Sequence, residues 1–332
     1  MVSRLRVGAA VLAAVWMAIG VGAAAQQGGR FHDMLDHTGE RRLREADPGM
    51  TPIPGPGDYR FSFIHGGLRR DYLVHVPQGY RGLPMPMLIA LHGGGGDADY
   101  QADDSRYHLI SKSDEAGFIA VFPNGYSAMP GGILATWNAG TCCGPAMKHN
   151  IDDVGFIREI IRRMRVQARI DPNRIFATGM SNGAMMSWRL ACEASEIRAI
   201  APIAGTDNTP ACRPSRSVPV IEFHALNDDH VPFGGGRGDL SIARTDFVSV
   251  PATQAKWIRI DRAAPAAQRV LSVPGARCDL HVPAPGGAPV ELCTTTTGGH
   301  SWPGGGTQQG RKQPSMAISA NDLMWQFFSS LK

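Results

Sequence analysis

Nothing in this sequence gathers charge of one sign. Lys and Arg number 33 against 29 Asp and Glu, a formal net charge of +4 over 332 residues, and no basic block runs longer than two or three residues. A chain that tracks phosphates along a nucleic acid needs a basic stripe, so no nucleic-acid partner is expected. Long apolar runs are equally scarce. The single example, Val7 to Gly22, is 16 residues long, short for a bilayer span, and the mature chain is expected to have no membrane span. No Cys precedes Cys142, which removes lipid attachment at the end of a leader. No CxxC pair occurs, so zinc and thioredoxin-type readings lose their basis. Neither GxxxxGK[ST] nor a helix-opening GxGxxG is found, and nucleotide binding is not expected.

The short apolar run has a context of its own. Arg4 and Arg6 precede it and Ala23-Ala24-Ala25 follow it, the basic, apolar and small-residue order of a secretory leader. Residues 1–25 therefore read as a signal peptide cut near Ala25, leaving 307 residues of net charge +2 that act outside the cytoplasm, in a periplasm or beyond the cell. With 43% hydrophobic residues that chain can bury a sizeable core. All six cysteines lie in it, where disulfides persist. Cys278 and Cys293, with Gly286 and Gly287 between them, read as a bridged hairpin. Adjacent Cys142 and Cys143 are expected to bond separately to Cys192 and Cys212, because a bond between neighbours closes a strained ring.

Residues 26–57 show no period and end in Pro and Gly, and read as a linker or extended arm. Asp58 to Ile64 and Leu68 to Val76, split by His65-Gly-Gly67, read as an antiparallel hairpin. Continuous apolar runs then alternate with helical patterns: Met87–Leu91, Phe118–Phe122, Arg174–Met180, Arg198–Ala204, Val218–His224 and Val290–Thr297. Runs without a wet face mean strands covered on both sides, hence an α/β fold with a mostly parallel sheet. Val154, Ile157, Ile161, Met164 and Ala168 recur at helical spacing behind Asp152 and Asp153. A last helix is expected from about Ser319, burying Leu323, Trp325 and Phe328.

Gly179-Met-Ser181-Asn-Gly183 joins the Arg174 strand to a helix-prone stretch. With 40 glycines in the chain, G-x-S-x-G alone arises by chance, but between a strand and a helix it is a nucleophile elbow. An elbow serine needs a base and an orienting acid, in the chain order Ser, acid, His. Asp228 follows the strand Val218–His224, with Asp229 as its competitor, and His300 stands in the glycine-rich loop after the last strand. His65, His75, His92 and His108 precede the elbow and are poorer bases on chain order. Leu91-His92-Gly-Gly94-Gly-Gly96 follows the first parallel strand like an oxyanion loop, and the Gly94 and Asn182 amides are its expected donors.

These stretches together carry a resemblance. LHGGGG (91–96), FPNGY (122–126), TWNAGTCCGPA (136–146), IDDVGFI (151–157), GMSNGAMM (179–186), FHALNDDHVPF (223–233) and GGHSWPGG (298–305) resemble the secreted polyhydroxybutyrate depolymerase and feruloyl esterase family, from about Asp58 to Gly305. The resemblance implies an α/β-hydrolase fold, residues 58–332 as one catalytic domain, and a serine ester hydrolase with Ser181, Asp228 and His300 as its triad. It implies feruloyl or acetyl esters of plant polysaccharide, or polyhydroxyalkanoate, as small-molecule, oligosaccharide or polyester substrates, with no metal or organic cofactor. It also places Trp137, Asn138 and Trp302 near the substrate. Two positions depart from the family pattern, Ala225 where a Gly is usual and His230 where a small or apolar residue is usual. The competing readings are an extracellular binding protein on a hydrolase fold, and a metal site built from His224, Asp228, Asp229, His230 and His300.

Overall fold

The computed structural model describes residues 44–45, 51–129, 132–307 and 312–331, which belong to the compact unit Leu43–Lys332. The leader expected over residues 1–25 and most of the arm lie outside the described residues.

Eleven strands form one sheet in the order β1-β2-β3-β5-β4-β6-β7-β8-β11-β10-β9. The middle of it is parallel: β5 (Ile119–Pro123), β4 (Met85–Leu91), β6 (Ile170–Met180), β7 (Ala199–Ile203), β8 (Val220–Ala225) and β11 (Val290–Thr295). Their side chains go alternately to the two faces, as a two-residue period requires. Met87, Ile89 and Leu91 of β4 join one core, with Phe156, Ile160, Met164, Trp188 and Trp257 of the helices Asp153–Gln167, Asn182–Glu193 and Val250–Ile260. Leu88 and Ala90 join the other, with Leu109, Met324 and Phe328 of the helices Leu109–Ala116 and Ala320–Ser330. Phe176 of β6 stacks on Phe328 at 4.3 Å and 12°, worth about 1 kcal/mol beyond burial.

Antiparallel pairs finish both edges. β2 (Gly57–His65) and β3 (Leu68–Val76) are the expected hairpin. Arg44–Glu45 adds a two-residue strand, β1, parallel to β2; two residues carry no period, so the arm gave no sign of it. At the far edge β10 (Ala276–His281) pairs with β11 and with β9 (Gln268–Val273). β9 is mostly exposed and has no buried face for a pattern to reveal.

The helix expected behind Asp152 spans Asp153–Gln167, and the Asp152 carboxylate accepts from the Gly155 amide at 2.8 Å. In the last helix Phe328 is buried as expected, but Met324, one turn earlier, takes the inner position, and Leu323 and Trp325 are only partly covered. Cys278 and Cys293 face each other across β10 and β11 and are bonded. The other pairing differs from expectation. Cys142 and Cys143 are bonded to each other. Cys192, at the end of its helix, has Cys212 at a Cα separation of 4.9 Å and is bonded to it, which leaves the neighbours no other partner.

Candidate active site

β6 ends at Met180 and a helix begins at Asn182, so the chain reverses within Ser181, whose φ is 57° and ψ −119°. A β-carbon on Gly179 would sit 2.6 Å from the Gly183 carbonyl carbon, and one on Gly183 would sit 2.6 Å from the His92 oxygen. Only glycine fits at either place. Ser181 donates its amide to Ile203 O of the neighbouring strand at 2.9 Å, and the residue remains partly exposed at the start of the helix. The Asn182 amide, first in that helix, has no carbonyl one turn back.

The loop after β4 lies against this turn: β-carbons on Gly93 and Gly94 would sit 3.6 Å and 3.5 Å from those of Ser181 and Asn182. Gly95 and Gly96 donate their amides to Ala135 O and Gly93 O, so Gly93 and Gly94 hold the loop's remaining donors. The Asn182 side chain binds the Trp137 peptide from both sides, accepting from its N–H at 2.7 Å and donating to its C=O at 3.1 Å. The Trp137 indole donates to His92 O at 3.0 Å. His92 donates from Nδ1 to Gly93 O at 2.8 Å and accepts at Nε2 from the Gly125 amide at 2.9 Å. Burial pulls its pKa down to about 4, and it stays neutral.

A second braced layer stands behind Trp137. The Asn138 amide donates to Asp153 Oδ2 at 2.8 Å, and Arg70 Nη2 donates to Asp153 Oδ1 at 2.7 Å, with both charged side chains buried. The Asn138 carboxamide turns to Asn150 Oδ1 and Ile151 O. In sequence Asp153 reads as a helix-end acid, and its partner Arg70, on β3, carries no local signal.

Asp228 and His300 reach the same edge of the sheet. Met180, Ile203, Phe223 and Cys293 are register partners across β6, β7, β8 and β11. Ser181 follows that row directly, and Asp228 and His300 follow it in the loops after β8 and β11, at the carboxyl ends of the parallel strands, where such sheets hold their ligands. His300 is 8% exposed and donates from Nδ1 to Asp228 Oδ2 at 2.9 Å, which leaves Nε2 as the ring's basic nitrogen. Asp228 Oδ1 accepts from the amides of His230 and Val231, both at 2.9 Å. Burial works against the Asp228 anion, but His300, His224 and the Val231 amide outweigh it and hold the carboxyl below its usual range. Asp229 turns away, to Lys312 Nζ at 2.6 Å and His230 Nδ1 at 2.7 Å.

His230, the unusual residue of this loop, stacks flat on His300 at 4.6 Å and 11°. Asp228, His230 and His300 offer atoms within 4.8 Å of one another, and with His224 and Asp229 they make up the metal set considered from sequence. These groups bind one another or nearby backbone: His300 to Asp228, His230 to Asp229, and His224 Nε2 to Val231 O at 2.8 Å. Trp302 is 1% exposed and donates to Asn321 Oδ1 at 3.0 Å, while Asn321 in turn donates to Tyr107 O. A partly exposed serine on a strained turn, backbone amides beside it and a histidine ordered by a buried carboxylate can perform acyl transfer.

Known proteins resemble this chain in sequence and in fold. Residues 70–206 match the model of the family described as Esterase PHB depolymerase. Feruloyl esterase B of Piromyces equi is 28% identical over 240 residues, which cover 70% of this chain and 42% of that one, so the chain spans less than half of that relative. Feruloyl esterase C of Emericella nidulans is 30% identical over 210 residues, covering 60% of this chain and 71% of that one. Among solved structures, the acetyl xylan esterase from Aspergillus awamori superposes with a TM-score of 0.54 at 13% identity, over 78% of this chain and 94% of that one, a likeness of fold. On sequence, the chain belongs to the esterase PHB depolymerase family.

Proposed function

We propose that the protein is an exported serine ester hydrolase whose single catalytic domain begins near Asp58. His300 Nε2 takes the Ser181 proton as Oγ attacks the ester carbonyl, and the tetrahedral oxyanion is held by the Gly94 and Asn182 amides. Collapse of that intermediate expels the alcohol, which receives the proton from His300, and leaves an acyl-serine. Water, deprotonated by the same imidazole, releases the acid and restores Ser181. Asp228 orders the ring and stabilises the imidazolium. The observation that carries this reading is the 2.9 Å Asp228–His300 hydrogen bond at the sheet edge where Ser181 turns with positive φ.

Residues 1–25 act as the export signal, and the ester is a feruloyl or acetyl ester of plant polysaccharide, or a polyhydroxyalkanoate. Trp137, Asn138 and Trp302, all buried, serve the substrate by holding the loops around it. Release assays on p-nitrophenyl acetate and butyrate, methyl ferulate and a polyhydroxybutyrate suspension test the proposal. The wild type is expected to cleave at least one of them, and Ser181→Ala to lose about 10⁴-fold or more. Hydrolysis undiminished in Ser181→Ala would overturn it, and a folded wild type silent on every ester would favour the binding-protein reading.

A further inference from the structure

One set of buried titratable groups is left over from this chemistry. Glu222 and His224 stand two residues apart on β8 and so point to the same face, and both side chains are fully buried. Glu222 Oε2 accepts from Gln254 Nε2 at 2.6 Å, on the helix Val250–Ile260. Its Oε1 lies 3.6 Å from His224 Nδ1, and neither of those atoms has a hydrogen-bond partner of its own. On the opposite side of the ring, Nε2 donates to Val231 O at 2.8 Å and lies 3.5 Å from Asp228 Oδ2. That oxygen is the one that accepts from His300. Carboxylate and imidazole thus alternate four deep, from the sheet interior to the site.

His224 Nε2 carries a proton, because it donates to a carbonyl. If Oε1 and Nδ1 both lacked a proton, two bare lone pairs would face each other in the interior, a costly arrangement. One proton therefore belongs between them. Placed on Oε1 it makes a neutral pair; placed on Nδ1 it makes an imidazolium between two carboxylates. Asp228 favours the second. Burial opposes the His224 cation, yet Glu222 and Asp228 outweigh it and raise the ring above the usual imidazole range, while burial raises Glu222 against the pull of His224 and Gln254. The other charged groups around the pair largely answer each other: Asp207 accepts from Trp257 Nε1 and pairs with Lys256 Nζ at 2.7 Å. Phe233, with its ring 6.1 Å from that of His224, and the β11 partner Thr294 carry no charge.

We propose that Glu222 and His224 are positioning residues for the catalytic acid, a buried carboxylate–imidazolium pair that fixes the turn from Asp228 to Val231 and places a positive charge behind Asp228. The proposal rests on the triad reading above. The charge opposes protonation of His300, so it keeps the base free to a lower pH than the Asp228 carboxylate alone would allow.

Glu222→Gln is the informative variant, because Gln has the shape of a protonated Glu. It removes the counter-charge of His224, which then sheds its proton, and the acid limb of kcat/KM is expected to move up by about one pH unit. His224→Gln should produce the same displacement, and the double variant no more than either alone. A neutral pair in the wild type, or a purely structural role, would lower stability and leave the limb in place; an unmoved limb in a folded Glu222→Gln overturns the proposal. Long-range ¹H–¹⁵N spectra of the wild-type histidine rings at pH 8 decide it independently of how the variants fold. His224 should show two protonated nitrogens, and one bare nitrogen refutes the pair. Activity retained in Ser181→Ala would instead condemn the triad reading, with the pair still judged by those nitrogens.

Discussion

Replacing Arg70 with Met would isolate the Asp153 carboxylate while keeping an unbranched stem over Phe156, where the guanidinium carbon now lies 4.0 Å from the ring centroid. Both partners of the 2.7 Å pair are buried, 3% and 0% exposed. The variant leaves Asp153 with the Asn138 amide as its remaining hydrogen bond among those described, and a buried charge stripped of its partner costs about 3–5 kcal/mol. In a domain of this size that corresponds to a fall in Tm of roughly 5–9 °C.

The effect has a sign in pH. Burial already raises the Asp153 pKa against the pull of Arg70, and losing Arg70 raises it further. A carboxyl whose folded pKa lies above its unfolded value destabilises the fold as pH climbs past the unfolded pKa. The variant should therefore lose more stability at pH 8 than at pH 5. Adding Asp153→Asn, which keeps an acceptor for the Asn138 amide, should restore much of the loss. Thermal denaturation followed by circular dichroism at the two pH values is the assay. A loss under about 1 kcal/mol at pH 8, or a double variant no more stable than the single, would refute the reasoning.

Two further outcomes follow from the same geometry. Asp228→Asn should lower kcat by about 10⁴-fold with the fold intact, whereas Asp229→Asn, which loses links to Lys312 and a half-exposed His230, should cost less than tenfold; equal losses in ester turnover would contradict the assignment of the acid. Burial raises the Asp261 pKa from 3.8 to about 7, against the Val218 amide and Arg216, so the fold loses stability as pH climbs between those two values and no more above them. Asp261→Asn keeps the acceptor for the Val218 amide, now 2.7 Å away, and should stabilise the protein by about 2.5 kcal/mol more at pH 8 than at pH 5 in denaturant titrations. A variant whose gain is flat in pH would show that Asp261 keeps an ordinary pKa.

The parallel core and the sharp turn at Ser181 were legible because each is written locally. Strands covered on both faces need unbroken apolar runs, and a reversal inside one residue needs glycines at fixed offsets. Asp228 and His300 were legible as chain order and loop type. What the sequence withheld depends on long-range contact. Arg70 meets Asp153 across 83 residues, His230 stacks on His300 across 70, and a basic residue or a histidine carries no local mark of such a partner. The exposed strand β9 has no buried face to impose a period. Cys142 and Cys143 were assigned to separate partners on ring strain alone, yet Cys192 and Cys212 already meet at a helix end, a proximity created by the fold rather than by spacing. A motif sets Trp137 near the cleft without showing its contacts; its indole and peptide brace His92 and Asn182.

The most direct measurement is stoichiometric labelling with a fluorophosphonate ester, followed by peptide mass spectrometry on the wild type, Ser181→Ala and His300→Ala. One equivalent bonded to Ser181, absent from Ser181→Ala and slowed by orders of magnitude in His300→Ala, is the predicted result. Label on a different residue, or full labelling of Ser181 in His300→Ala at the wild-type rate, would contradict a serine activated by that histidine.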